Sequence, residues 1–455
     1  MPSDRSSSLL ALLFVGLTAL PAPAFAQAAI AGSVRDGSGL PVAGVLVETA
    51  SPALIERVRT TATDGTGRFR IDDLRPGLYS LTFERAGFKT HHLEAVALSG
   101  SFTATADVVL QVGDLSESVT VSGALPIVDL QSATREATIT GNMIRAIPAA
   151  RTYNALVALV PGVLTNANDT VITAAATTFP IHGGRTNEGR LLLDGFVIGS
   201  PSTGSSATSY AFDVGYAEEI AFTTSGGLGE SETAGLVMNI VPKSGGNDRH
   251  GSFFGSSTAT WLQSDNLTEA LRDQGLTGTM PLTKLYDVSG SFGGPVRRNR
   301  VWYFVSAHRG SATREVDNVY YNLNAGNGAQ WLYAPDATRR EYSDRVFENA
   351  SGRVTWQMTP RNQLTGYLDL QSLCRTCTGA TPGLSEPARV SPEAVGVLSR
   401  PLTVWQVRWY SPPSDRWLLD AGVSAISFGV GNFERSPNPT RGLVRVAEQC
   451  ASGCA

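Results

Sequence analysis

The sequence predicts a mainly β protein in three parts: an N-terminal immunoglobulin-like β-sandwich, a small α+β domain, and the first strands of a transmembrane antiparallel β-barrel. Three observations carry this reading. Residues 28–112 hold short alternating strands cut by turn dipeptides, and residues 180–247 set apolar runs between closely spaced glycines. After residue 249, amphipathic strands are joined by connections of unequal length. Alternation with period two and punctuation by Gly, Pro, Asn and Asp are the signals of strands and their turns.

A chain of 455 residues has room for roughly three domains. Charged residues make up 17% and the net charge is −4, so no basic face points to nucleic acid. No internal apolar run reaches the length of a membrane helix, which argues against a helical inner-membrane protein. A barrel wall escapes that test, because its lipid-facing residues alternate with polar ones.

Residues 1–26 read as a secretory signal peptide. Arg5 supplies the positive start, Leu9 to Leu20 the apolar stretch, and Ala24-Phe25-Ala26 a small-x-small cleavage site. The apolar run is too short for a membrane anchor and ends in Pro21 and Pro23.

Residues 27–113 form the sandwich. Ile30 to Val34, Val45 to Glu48, Arg68 to Ile71 and Tyr79 to Phe83 are its clearest strands. Asp36-Gly37, Asp64-Gly65, Pro76-Gly77 and Ala86-Gly87 supply the turns. Evenly spaced short strands of this kind build a two-layer β fold. The run Thr63-Asp64-Gly65, Gly67, Phe69, Ile71, followed by Pro76-Gly77, Tyr79 and Gly87-Phe88, resembles the carboxypeptidase regulatory-like domain.

That name invites a test for peptidase chemistry, which needs two or three His/Glu ligands around an open metal position. His91 and Glu94 have the spacing of one such pair. In a strand, however, residues three apart point to opposite faces, as do the adjacent His91 and His92. With five histidines in the chain and no His-Glu-x-x-His run, the sequence predicts no metal site, no catalytic residue and no cofactor.

Residues 114–123 follow as a linker carrying Glu117, Ser118, Val119, Thr120, Val121 and Ser122. This alternating run fits a last strand of the sandwich. It also fits an extended segment that pairs with a partner's sheet edge, where backbone hydrogen bonds give affinity without strict sequence.

Residues 124–248 read as the α+β domain. Leu191 to Leu193 and Val237 to Val241 are buried strands by their apolar content. Glycine at the density seen from Gly183 to Gly235 suits tight turns and close backbone approach. Composition alone fits either an ordinary small domain or one seated in a polar-lined cavity.

Ordered motifs sharpen the choice. Arg151, Leu159 to Val163, Ile181 to Arg185, Leu193-Asp194-Gly195 and Asn239 to Asn247 follow one another over this stretch. Together they resemble the plug domain of TonB-dependent outer-membrane receptors. The motif residues are Gly183, Gly184, Arg185, Asp194, Gly195, Asn239 and Lys243. His182 stands where the family has Arg, and Pro242 where it has Thr. The resemblance implies that residues 117–122 are a TonB box, the segment engaged by a TonB-type energising protein in the periplasm. It also implies export to the outer membrane of a Gram-negative-type bacterium, contact with outer-membrane lipid, and an external ligand such as an iron chelate, glycan or peptide. The regulatory-like domain ahead of the plug is similar to the arrangement in Oar-like members of that family. A surface adhesion or structural outer-membrane protein is the rival expectation.

Residues 249–455 read as a partial barrel wall. Val354, Trp356 and Met358 alternate with Arg353, Thr355 and Gln357. Leu364, Leu368 and Leu370 alternate with Gln363, Thr365, Asp369 and Gln371, and Trp405, Val407 and Trp409 with Gln406 and Arg408. Short turns near 296–300, 359–362 and 411–416 contrast with long polar loops expected near 261–284, 310–345 and 373–400. Short turns on one side and long loops on the other mark an outer-membrane barrel. About seven strands fit here, against about 22 in plugged transporters, and residues 447–455 lack the character of a closing strand. The expectation is therefore a product incomplete at its C-terminal end. Cys374 and Cys377, in an expected loop, and Cys450 and Cys454 are disulfide candidates in an exported chain.

Overall fold

The computed structural model describes residues 28–434 except 52–53, 55–56, 75–76, 99–102, 114–117, 123–134, 148–150, 165–178, 200–209, 211, 226–234, 265–266, 276–281, 331, 379–395, 415–416 and 430. The expected signal peptide, Glu117, Cys450 and Cys454 lie outside the described residues. Two compact units emerge, Met1–Thr138 with Ala221–Val237, and Ile139–Ile220 with Met238–Ala455.

The first unit holds β1 (Ala28–Asp36), β2 (Leu46–Ala50), β3 (Val58–Ala62), β4 (Arg68–Leu74), β5 (Gly77–Glu84), β6 (Thr90–Leu98), β7 (Thr103–Thr105), β8 (Val108–Leu110) and β9 (Ser118–Ser122). One sheet runs β4-β1-β7 with β8 also on β1, and the other runs β3-β2-β5-β6-β9. Alternation decides the core: Val47, Tyr79, Leu81, Phe83 and Leu93 turn inward from the second sheet and meet Ile30, Val34, Phe69 and Ile71 of the first. Phe69 and Phe83 meet edge to face at 5.5 Å, the arrangement that aromatic quadrupoles favour.

The turns are held by aspartates, as the dipeptides require. The Asp36 carboxylate accepts from the Ser38 hydroxyl and from the Ser38 and Leu40 amides. Asp64 accepts from the Arg68 and Thr66 amides and the Thr66 hydroxyl. These bonds favour the ionised form and hold both carboxyls below their usual range. Within the linker expected at 114–123, residues 118–122 pair in parallel with β6, as the last-strand alternative expects.

In the glycine-rich region lie β10 (Arg135–Thr140), α1 (Gly141–Ala146), α2 (Tyr153–Val157), β11 (Arg190–Leu193), β12 (Phe196–Val197), β13 (Ala217–Ser225) and β14 (Val237–Pro242). Their strands are ordered β10-β13-β14-β11-β12. Thr140 caps α1, its hydroxyl accepting from the Met143 amide. Both helices are short and draw their order from packing; every residue of α2 is buried.

The second unit continues as an antiparallel meander of β15 (His250–Ala259), β16 (Leu282–Arg297), β17 (Val301–Asn322), β18 (Pro335–Thr359), β19 (Asn362–Thr378), β20 (Gly396–Ser414) and β21 (Trp417–Phe428), with β22 (Gly431–Glu434) beside β20. By the strand bounds, the connections at 298–300, 360–361 and 415–416 are two or three residues, and those at 260–281, 323–334 and 379–395 are longer.

The strands outrun the loops expected from sequence. β17 has 22 residues and β18 has 25, beyond the roughly 9–11 needed to cross a bilayer. Most of the segment expected as a loop at 310–345 is ladder, with Glu315 opposite Tyr342 and Tyr320 opposite Arg340. Cys374 and Cys377, expected in a loop, lie in β19. Polar strands pair through their backbones wherever a neighbour is available, so they leave no apolar alternation to read.

Register separates two faces. Val354, Gly366, Val407 and Val423 form one row, and Val305, Gly352, Leu368, Trp405 and Ala425 another. Leu368 and Leu370 are 44% and 50% exposed, whereas Asp369 between them is fully buried. Near the tight turns, Val301, Trp356, Leu364 and Trp409 share a row of the same apolar face. Tryptophans at strand ends beside an apolar band are the pattern of a wall facing lipid. The opposite face carries Ser306, Ser351, Arg353, Asp369, Gln371 and Gln406.

Candidate functional site

The candidate site is the seam, within the second unit, where the glycine-rich loops meet the polar face of the meander. Two motifs first meet each other. Val163 bridges Ile181, the Leu164 amide bonds the Pro180 carbonyl at 2.9 Å, and the His182 amide bonds the Gly162 carbonyl at 3.0 Å. Gly162 takes φ of +84°, which favours glycine, and a Cβ there would also lie 2.8 Å from the His182 ring. Gly183, Gly184 and Arg185 are exposed, and the Arg185 amide donates to Glu188.

Asp194 and Gly195 take φ of +53° and +83°, the left-handed pair of a two-residue hairpin turn, and they join β11 to β12 with Leu193 opposite Phe196. Asn239 fixes this turn by accepting from the Gly195 amide at 3.0 Å. The Asp194 amide bonds the Ile240 carbonyl at 2.9 Å.

From the wall, Arg353 of β18 ion-pairs with Asp194 at 2.7 Å and donates to the Pro242 carbonyl at 3.2 Å. Gln406 of β20 donates to the Leu193 carbonyl at 3.1 Å. These three contacts fall on the Asp194 carboxylate, on the Leu193 carbonyl beside it and on the Pro242 carbonyl at the end of β14, so the wall meets backbone shape as well as charge.

A second contact is built around Arg151. Its Nε lies 3.1 Å from an oxygen of fully buried Asp213, and Nη1 donates to Ser289 of β16 at 3.2 Å. The guanidinium sits 4.3 Å from the Phe254 ring centroid and 5.6 Å from that of Tyr216, within cation–π range. Gly215 makes room for it: a Cβ there would fall 1.2 Å from Arg151 Nη2. Asp213 also accepts from the Gly215 amide at 2.8 Å. Burial raises the Asp213 carboxyl above its ordinary value, against the opposing pull of His308 and Arg151. On the wall, His308 lies 2.7 Å from Asp287.

Lys243 donates to the Gly215 carbonyl at 3.0 Å, and burial, with Arg145 nearby, lowers its ammonium below the usual range. The Tyr210 hydroxyl donates to Asp369 at 2.8 Å, and burial beside that carboxylate pushes the phenol well above its ordinary value. Gln371 and Asn349 complete the shell around Asp369 at 2.9 and 3.4 Å. The Tyr216 hydroxyl reaches the Ala307 carbonyl at 3.0 Å. Asn247 closes the seam near a tight turn, accepting from the Asn299 amide at 2.8 Å and the Trp302 indole at 2.9 Å.

Of the residues expected from sequence, Asp194, Gly195, Asn239 and Lys243 come together here, while Gly183, Gly184 and Arg185 stay at the surface loop. Sequence reading missed Asp213, Gly215, Arg353, Asp369 and Gln406 as members. For Arg353, Asp369 and Gln406 the available signal was a polar residue on the inward face of an otherwise apolar-alternating strand.

In the first unit, His91 packs 6.1 Å from the Phe83 ring and burial lowers its imidazole, with His92 adding to the effect. His92 instead bonds Thr82 at 3.0 Å. The two rings have separate partners, and no cluster of three metal-ligating side chains occurs among the described residues.

Comparison with known proteins follows the same division. The carboxypeptidase regulatory-like domain family matches residues 29–111. In sequence, the chain is 31% identical over 295 residues to the TonB-dependent transporter Oar of Myxococcus xanthus. The chain is thus similar in sequence to a TonB-dependent transporter. The match takes in 62% of this chain and 26% of Oar, so the chain spans about a quarter of that relative. Among solved structures, the outer membrane transporter YddB of Escherichia coli is 14% identical with a TM-score of 0.47, over 64% of this chain and 38% of that one. A ferric enterobactin receptor mutant of Pseudomonas aeruginosa is 16% identical with a TM-score of 0.42, over 66% and 41%.

Proposed function

We propose that this chain belongs to an outer-membrane receptor that binds an external ligand and moves it inward when an energising protein rearranges its plug. The observation that carries the reading is the seam. A meander with one apolar face turns its polar face to glycine-rich loops and pins them through Arg353, Gln406 and Asp369. Such a wall keeps lipid on one side and a removable, hydrogen-bonded stopper on the other.

Polar pinning suits a stopper that has to move. Hydrogen bonds and ion pairs broken at the seam are replaced by bonds to water. Binding and energised release need no catalytic residue. Residues 117–122 serve as the segment grasped by a TonB-type partner, and the ligand class stays open among iron chelates, glycans and peptides.

The test uses the native gene product carrying this chain. Outer and inner membranes are separated, and a photocrosslinking amino acid is placed at Val121. Recovery in the outer membrane with a crosslink to the TonB-type protein supports the reading. Recovery in the soluble periplasm refutes it. Outer-membrane recovery without a crosslink favours an adhesion or structural role.

A further inference from the structure

The first short connection of the meander carries a cluster of positive charge that the seam does not use. Residues 297–300 read Arg-Arg-Asn-Arg between β16 and β17, and Arg249 stands just ahead of β15. All four arginines, Arg249, Arg297, Arg298 and Arg300, are exposed. Within 247–250 and 296–301 one carboxylate, Asp248, accompanies them, so the corner is strongly basic.

Register puts these charges at the margin of the apolar face. Arg297 stands opposite Val301, which places it in the row of Trp356, Leu364 and Trp409. Arg249 lies against Gly294, the residue opposite Tyr303 in the next row. A Cβ at Gly294 would fall 2.8 Å from Arg249 Cγ, so glycine there gives the arginine stem its room.

The corner has a fixed backbone. Asn299, between Arg298 and Arg300, takes φ of +58°. The Asn247 side chain holds it twice, accepting from its amide at 2.8 Å and donating to its side-chain oxygen at 2.6 Å. The Arg300 amide bonds the Arg297 carbonyl at 3.1 Å, and the Arg300 carbonyl accepts from the Gln357 amide of β18 at 2.8 Å.

An apolar band with guanidinium groups fixed at its edge has the chemistry of a lipid seat. Acyl chains lie along the apolar rows, and guanidinium forks take phosphate oxygens in paired hydrogen bonds. Long cationic side chains reach from an apolar margin to the headgroups, and each one beside an anionic surface adds attraction. Short turns of an outer-membrane barrel lie on its periplasmic side, so the headgroups at this level belong to the inner leaflet.

We propose that Arg249, Arg297, Arg298 and Arg300 bind the headgroup of an anionic glycerophospholipid in the periplasmic leaflet. The proposal rests on the reading of the outward rows as a lipid-facing wall. A soluble anion lacks the chains that the apolar rows hold, and a neutral lipid lacks the charge.

The test uses the native gene product carrying this chain, purified in a neutral detergent. Native mass spectrometry reads the lipid retained after titration with phosphatidylglycerol or phosphatidylcholine, with inorganic phosphate as competitor. The parent is expected to hold phosphatidylglycerol about tenfold more tightly than phosphatidylcholine, and phosphate is expected not to displace it. Arg297→Gln with Arg298→Gln should weaken phosphatidylglycerol about tenfold and leave phosphatidylcholine unchanged. Circular dichroism and a thermal midpoint equal to the parent's qualify the variant as folded. A variant that fails is replaced by Arg249→Gln, which leaves the turn untouched and should weaken phosphatidylglycerol about fivefold. Equal binding of the two lipids by the parent overturns the site and leaves the charges to an acidic periplasmic protein. Displacement by phosphate overturns the lipid in favour of a free anion. Selectivity that survives the substitutions places the lipid elsewhere and also overturns the site. A parent recovered from the soluble periplasm that holds neither lipid removes the lipid-facing wall itself, and the site with it.

Discussion

Gly215→Ala is the substitution that most directly tests the seam. The added methyl would lie 1.2 Å from Arg151 Nη2, 2.1 Å from Cζ and 2.4 Å from Nε, so the guanidinium cannot remain where it is. Backbone strain is not the cause, since Gly215 is absent from the residues with positive φ. Once displaced, Arg151 leaves the fully buried Asp213 carboxylate without its ion pair and gives up Ser289 and the Phe254 face. Removing one partner of a buried pair costs about 3–5 kcal/mol. The expected outcome is a looser plug in an otherwise intact wall. Under the proposed function this appears in cells as increased entry of a large antibiotic normally excluded by the outer membrane. In purified protein it appears as faster amide exchange across residues 210–220. A double-mutant cycle isolates the cause: in an Arg151→Met background, most of the Gly215→Ala penalty should vanish, giving a coupling of about 3 kcal/mol. Additive effects of the two substitutions would refute the steric argument.

Three further outcomes follow from the same geometry. Arg353→Leu should cost about 3–5 kcal/mol, because Asp194 loses its partner in a site where both side chains are less than one-sixth exposed, at 12% and 15%; denaturant unfolding followed by a probe on the Asp194 turn measures it. Leu368→Arg, on the apolar face, should cost about 2–4 kcal/mol in refolding into bilayers, whereas the same test on Thr365→Ser should show little change. Asp213 has a raised carboxyl in the folded chain, so the native state holds its proton more tightly than the unfolded state. Stability therefore declines as pH rises from about 4 through the raised value and then levels off. Asp213→Asn should remove that decline from a series of thermal midpoints between pH 4 and 7, and a profile identical to the parent would contradict the assignment.

Local chemistry was enough to determine much of this protein. Period-two alternation in Tyr79 to Phe83 and in Leu364 to Gln371 set which side chains face inward, because a strand allows only two faces. Asp36 and Asp64 marked turns since their carboxylates can accept the amides that follow. Asp194-Gly195 marked a hairpin because both residues tolerate left-handed φ. What needed the tertiary structure was partnership across long separations. Arg353 and Asp194 are 159 positions apart and Tyr210 and Asp369 are 159 apart, by their numbers, and no local signal links such residues. The demand for glycine at 215 likewise comes from a side chain 64 positions earlier. The polar ladder between β17 and β18 escaped notice because backbone pairing needs a neighbouring strand and no apolar pattern. The run at 118–122 fitted two hosts, since an extended segment carries its hydrogen-bonding groups to whichever edge is beside it. Only the folded chain shows β6 as the edge it takes.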